Sequence, residues 1–268
     1  MPEQPKKNSI LSVGPDRSGT FFRCATLAGL VLLSASPTKA QQVDSLVRAG
    51  EEARLSSDLE SLVGAGEERL RARFLARQIS FPPEQYVLIA LKTERRLELW
   101  APSPDGRPHL VHSYEILALS GGPGPKLREG DGQVPEGLYR LESLLPHSQY
   151  HLGLKLNFPN DFDWARAREE QRSEPGSDIF IHGGEFSTGC LAIGDRAVEE
   201  LFALAVRSGM ERARVLIAPY DLRDPPETRP APPANPAWLA GLYEELRLTM
   251  MRYHEAEAIA PPADPTTP

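Results

Sequence analysis

From Phe81 to Ala218 the apolar residues fall into seven short runs, 86–91, 96–100, 110–119, 137–144, 150–157, 178–182 and 215–218, with Gly, Pro and Asp gathered between them. Runs of this length bounded by turn formers predict strands, and so many of them commit the chain to sheets. In the run 150–157, Leu152, Leu154 and Leu156 share one face while His151, Gly153, Lys155 and Asn157 share the other, the two-residue alternation of a half-buried strand. Many strands with few long helices predict a mainly β fold with flanking helices, a sandwich or open barrel rather than a parallel α/β sheet.

The predicted helices lie around these runs. Residues 44–80 read as an accessory amphipathic arm carrying a near-duplicate, Ser45-Leu-Val-Arg-Ala-Gly-Glu-Glu52 and Ser61-Leu-Val-Gly-Ala-Gly-Glu-Glu68. The sixteen-residue offset is not a whole number of helical turns, so the copies cannot present one common face. Val198, Leu201, Phe202 and Ala205 recur at helical spacing, with Asp195 as a cap and Gly209 as a stop. A proline-rich stretch, 224–236, separates this region from an amphipathic helix expected over 237–258.

At the other end, Lys6, Lys7, Arg17 and Arg23 precede an apolar stretch, 24–33, that closes on Thr38-Lys39-Ala40, the pattern of an export signal cleaved after Ala40. The apolar stretch is about half of the roughly 20 residues a membrane-spanning helix needs, so no stable membrane anchor is expected after cleavage. The division that follows is a signal over 1–40, the accessory helical segment over 41–80, a principal domain over 81–222, a Pro-rich linker with a terminal helix over 223–258 and a disordered tail over 259–268. Loss of residues 1–40, with five basic and two acidic side chains, takes the formal net charge from −7 to −10. An acidic chain without a basic stripe is unsuited to nucleic acid.

Of the two cysteines, Cys24 leaves with the signal and Cys190 remains, in the run His182-Gly-Gly-Glu-Phe-Ser-Thr-Gly-Cys190. A lone thiol in an oxidising compartment has no internal disulfide partner and points to chemistry. A thiol attacks as thiolate and needs a base or a favourable field. His182, at the end of a predicted strand, is the candidate base and Cys190 the candidate nucleophile. Gly183 and Gly184 let the chain turn back, and the N–H groups of Gly189 and Cys190 are candidate oxyanion donors, a set suited to acyl transfer.

This segment resembles the catalytic motif of the L,D-transpeptidases of the YkuD type, and of their YafK-like branch in particular. Collinear blocks extend the likeness over roughly 85–222: Lys92-Thr-Glu-Arg-Arg-Leu-Glu-Leu-Trp100, Gly124-Pro-Lys126, Glu129-Gly-Asp-Gly132, Pro135-Glu-Gly-Leu-Tyr139, Phe158-Pro-Asn-Asp-Phe-Asp163, Ile181-His-Gly and Ser187-Thr-Gly-Cys190-Leu-Ala. The resemblance implies an exported enzyme of the periplasm or cell envelope that acts on peptidoglycan stem peptides through a cysteine thioester, with no cofactor, in wall cross-linking, remodelling and cell shape. It implies that the carbonyl of Gly183 orients His182. Lys126, Asn160, Ser187 and Thr188 become candidate substrate-binding residues, with holding the turns around the cleft as the alternative role of Lys126 and Asn160. The wider family carries a histidine where this chain has Thr188 and a longer insert before it. The branch shares both departures, which leaves hydrolysis by a thiol amidase or carboxypeptidase as one alternative and a noncatalytic wall-binding scaffold as another.

Other motifs carry less. Gly121-Gly-Pro-Gly-Pro-Lys126 lacks the ending of a phosphate loop and its prolines remove donors, so no nucleotide is expected. His109 with His112, and His147 with His151, lack a third ligand at metal spacing, so no metal is expected. Trp100 reads as core, Trp164 as a possible cleft residue, and Trp238 as packing back onto the domain.

Overall fold

The structure, a computed structural model, describes residues 39–254. The expected export signal, except its last two residues, and the expected tail over 259–268 lie outside the described residues. The chain divides into two units, Met1–Arg48 and Ala49–Pro268. Of the first, only the opening turns of a helix are described.

In chain order the elements are α1 (Lys39–Ala76), β1 (Tyr86–Leu91), β2 (Arg96–Pro102), β3 (Pro108–Glu115), β4 (Gly137–Tyr139), β5 (Leu141–Ser148), β6 (His151–Leu156), α2 (Asp161–Glu169), β7 (Phe180–His182), β8 (Leu191–Ala192), α3 (Asp195–Ser208), β9 (Ala213–Ala218) and α4 (Leu239–Met250). They build one five-stranded sheet, β3-β2-β1-β9-β4, and one four-stranded sheet, β5-β6-β7-β8. Two pairs are parallel, β1 with β9 and β7 with β8; the others are antiparallel. The architecture is mixed α/β, with two sheets and the expected flanking helices, of which α1 runs for 38 residues. Neither sheet closes on itself.

Burial on both faces explains the continuous apolar runs of the first sheet. Leu88 and Ala90 of β1 and Val215 and Ile217 of β9 join the principal core with Leu152, Leu154 and Leu156 of β6. Ile89, Leu91, Leu216 and Ala218 point the other way, under Leu239, Leu242, Tyr243 and Leu246 of α4. Trp100 joins this second core, as its sequence context predicts, and Trp238 packs edge-on against Phe162. A strand covered on both sides loses its polar alternation.

Two strand expectations fail for one reason. The run 137–144 is two strands, β4 and β5, because the chain passes from one sheet to the other at Arg140. The run 110–119 stops at Glu115, and Ala118 then pairs with Ala192 as an isolated bridge beside β8. Apolar runs do not record a change of sheet. The terminal helix is shorter than 237–258, and α3 begins at Asp195 with Gly194, not Asp195, as its cap.

Helix α1 docks through a stripe formed by Val63, Leu70 and Phe74. Gly66 lies on that stripe, where an added Cβ would meet the Glu199 carbonyl oxygen at 2.5 Å, whereas one added at Gly64 would meet nothing within 4 Å. Gly66→Ala is therefore expected to destabilise the fold by about 1–3 kcal/mol through overpacking. Gly64→Ala should stabilise it by about 0.5–1 kcal/mol through helix propensity. Urea unfolding of the two variants reads both signs, and equal effects would contradict this docking. The second copy of the duplicated segment thus has a packing role; Val63 is buried, while its counterpart Val47 is 61% exposed.

Candidate active site

The parallel pairing of β7 with β8 brings the two ends of the His182–Cys190 segment together. Its register sets Ile181 opposite Leu191 and His182 opposite Ala192. Ile181 and Leu191 enter the core. By the two-residue alternation, His182 falls on the opposite face, and Cys190 lies in the bend immediately before β8.

His182 is 3% exposed, and its Nδ1 lies 2.6 Å from the carbonyl oxygen of Gly183. With Nδ1–H donating there, Nε2 is left as the unprotonated nitrogen. Burial pushes the imidazole pKa below its ordinary value, and the Gly183 carbonyl opposes this only in part. Cys190 is half-buried, with its thiol 3.6 Å from the Asp178 carbonyl oxygen. Burial drives the thiol pKa up; a backbone hydrogen bond from Phe180 and the Lys126 charge pull it back, while Asp178 adds to the rise. Burial thus disfavours the charged form of each side chain.

Glycine is required at two places in this segment. At Gly183 a Cβ would meet Asp195 Oδ1 at 2.5 Å and the Tyr150 carbonyl oxygen at 2.7 Å. Gly189 has a φ of +91°, in the region that disfavours side chains. The N–H groups of Gly189 and Cys190 are not vacant. The first donates to Ser120 Oγ at 2.7 Å and the second to Ser187 Oγ at 3.0 Å. The Ser187 hydroxyl returns a bond to the Cys190 carbonyl at 2.7 Å, and the Ser120 hydroxyl bonds the Gly132 carbonyl at 2.6 Å.

The remaining sequence candidates are spread more widely. Lys126 is buried, paired with Asp131 at 2.9 Å and bonded to the Arg128 carbonyl, yet its charge reaches Cys190. The segment that carries it is anchored by a buried ion pair, Lys92 with Glu136 at 2.9 Å, in which Lys92 also bonds the Gly124 and Val134 carbonyls. Tyr243 of α4 donates to the same carboxylate at 2.7 Å. Thr188 is exposed. Asn160 caps α2, accepting from Phe162 and Asp163, and donates to the Leu138 carbonyl. It lines a cavity of about 480 Å³ with Val87, Leu138, Phe162 and Arg214, and neither His182 nor Cys190 lines that cavity. Trp164 is 38% exposed and borders a different hollow, with Glu129 and Ser177. Among the described residues, no three His, Cys, Asp or Glu side chains gather as a metal site.

Two neighbours of this segment, Tyr150 and Ser120, had no sequence signal, and a third, Asp195, has another role than the one its position suggests. Tyr150 lays its ring against His182, with centroids 4.6 Å apart and planes tilted by 31°. Ser120 reaches Gly189 across 69 positions of sequence. Asp195 accepts from the Gly184 N–H at 2.8 Å, which replaces the helix-capping role its position suggests.

No family model matches the chain. It is 35% identical over 138 residues to YafK of Escherichia coli K12, a protein provisionally named an L,D-transpeptidase, and equally to its counterpart in Escherichia coli O157:H7. The match takes in 50% of this chain and 53% of each relative, so the chain spans about half the length of the curated proteins it matches. Among solved structures, the helical cell-shape determining protein Pgp2 of Campylobacter jejuni overlaps 51% of this chain and 48% of its own, at 21% identity and a TM-score of 0.42. Bd1075 of Bdellovibrio bacteriovorus overlaps 63% and 55%, at 19% identity and a TM-score of 0.38.

Proposed function

We propose that the domain over 81–222 is an exported cysteine acyltransferase that acts on peptidoglycan stem peptides, with Cys190 as nucleophile and His182 as general base. The observation that carries this reading is the tie between His182 Nδ1 and the Gly183 carbonyl, which leaves Nε2 unprotonated, in a segment whose two ends the β7–β8 pairing draws together. The likeness to YafK supplies the substrate class. Among the described residues no helix is long and apolar enough to cross a membrane.

In the first half-reaction, Nε2 takes the thiol proton as Sγ attacks the stem carbonyl. The tetrahedral oxyanion collapses, the terminal D-amino acid leaves as an amine with the proton returned by His182, and a thioester on Cys190 remains. An acceptor amine then attacks the thioester carbonyl, gives up a proton to His182 and regenerates the thiol. For the Gly189 and Cys190 N–H groups to serve the oxyanion, the substrate oxygen must displace the Ser120 or Ser187 hydroxyl. Ser187, Thr188 and Lys126 stand closest in sequence or in field to the nucleophile and are the proposed substrate contacts. Asn160, bound into the α2 cap, is the weakest of the four.

A second reading has one observation behind it. Thr188 stands where the wider family has a histidine, so an acceptor amine lacks that neighbour and water can take its place. Mass spectrometry of products from tetrapeptide muropeptides, with and without an added D-amino acid, separates the readings. Amine-linked product supports transpeptidation, trimmed product alone supports hydrolysis, and binding without any product supports the scaffold.

A further inference from the structure

His182 is held from one side by the tip of the β5–β6 hairpin. Tyr150 supplies the ring packed on its imidazole. The Tyr150 carbonyl and the His151 Cβ crowd Gly183, the residue whose carbonyl orients Nδ1. A displacement of this tip would therefore change both supports together. His151 has a φ of +69°, so the tip carries backbone strain that something must hold.

The holding contact comes from α3. His151 Nε2 lies 3.0 Å from Glu199 Oε1, while Glu199 Oε2 accepts from Arg69 Nη2 of α1 at 2.8 Å. Arg69 is itself fixed by Nε to Glu200 Oε1 at 2.9 Å, and Glu200 is 1% exposed and takes further bonds from Arg73 and Tyr114. One carboxylate thus bridges α1 to the hairpin tip, and the α1 end of the bridge is anchored in a buried network. Gly66 brings α1 close enough for this, against the backbone of Glu199 itself.

We propose that Arg69, Glu199 and His151 form a positioning relay through which α1 sets the Tyr150 ring against His182, so that the helix outside the sheets belongs to the working active site. The inference rests on His182 as base. His151 and Glu199 are positioning residues, because they act through Tyr150 and Gly183.

The experiment records the ring resonances of histidine-labelled full-length protein, with His182 assigned by its loss in His182→Ala, alongside kcat and KM on a tetrapeptide muropeptide. Tyr150→Leu calibrates the ring-current shift that the 4.6 Å stack imposes. His151→Asn keeps a residue that tolerates positive φ but is too short to reach Glu199. Glu199→Ala keeps a strong helix former in α3. Both variants are expected to melt with wild-type cooperativity, to move the His182 resonance in the direction seen for Tyr150→Leu, and to lower kcat roughly 10- to 100-fold with KM little changed. His151→Gln, which restores a donor toward Glu199, should return the resonance toward wild type. A His182 resonance and kcat unchanged in His151→Asn and Glu199→Ala, while Tyr150→Leu moves both, would overturn the relay. If the wild type forms no Cys190 adduct, the acyltransfer reading fails instead, and the resonances still report whether the tip is held.

Discussion

Cys190→Ala is expected to lower muropeptide turnover by roughly 10⁴-fold or more, because no other group among the described residues can form the proposed thioester. The variant should fold: alanine removes one half-buried sulfur, while the bonds that shape its turn come from the Cys190 backbone N–H and carbonyl to Ser187 and are untouched. Loss of product with unchanged melting therefore reports chemistry rather than collapse. Turnover retained within tenfold would remove Cys190 from the mechanism.

His182→Ala should cost about 10²- to 10⁴-fold, the usual value of a positioned general base, and should also erase a feature of the pH profile. Burial lowers the His182 pKa below its ordinary value of about 6.5. The base form is the neutral one, present above the folded-state pKa and lost as pH falls through it. Wild-type acylation should therefore persist down past the ordinary imidazole range and fall only in more acid solution. In the variant that acid limb should vanish, and the rate should climb with thiolate alone, above the ordinary thiol range, since burial raises the Cys190 pKa. Rates of Cys190 alkylation across pH read both proteins without needing the natural substrate. An acid limb that survives the substitution would show that another group titrates.

The sequence and the folded chain agree most closely where function and local pattern coincide. The strand ending at His182, the turn glycines and the helix after Cys190 are all set by neighbours within a few positions, and β1 occupies the run 86–91 without change. Helix α2 has a full capping box in Asn160 and Asp163, yet the residues that follow carry too little apolar periodicity to predict it. The split between β4 and β5 leaves no mark in the sequence, since both halves are apolar and only their partners differ. Ser120 and Tyr150 could not be read at all: each acts on a residue brought near by sheet pairing, and neither has a spacing rule that connects it to His182 or Cys190. Long-range polar contacts depend on the completed fold, whereas turns and caps are written locally.

The central claim is tested most directly by the intact mass of the purified protein after brief exposure to tetrapeptide muropeptides. A thioester on Cys190 predicts an added mass equal to the muropeptide less its terminal D-amino acid, mapped to the peptide that contains Cys190, released by hydroxylamine and absent from Cys190→Ala. An adduct that survives in Cys190→Ala, or product formed by a wild type that never carries mass at residue 190, would contradict it.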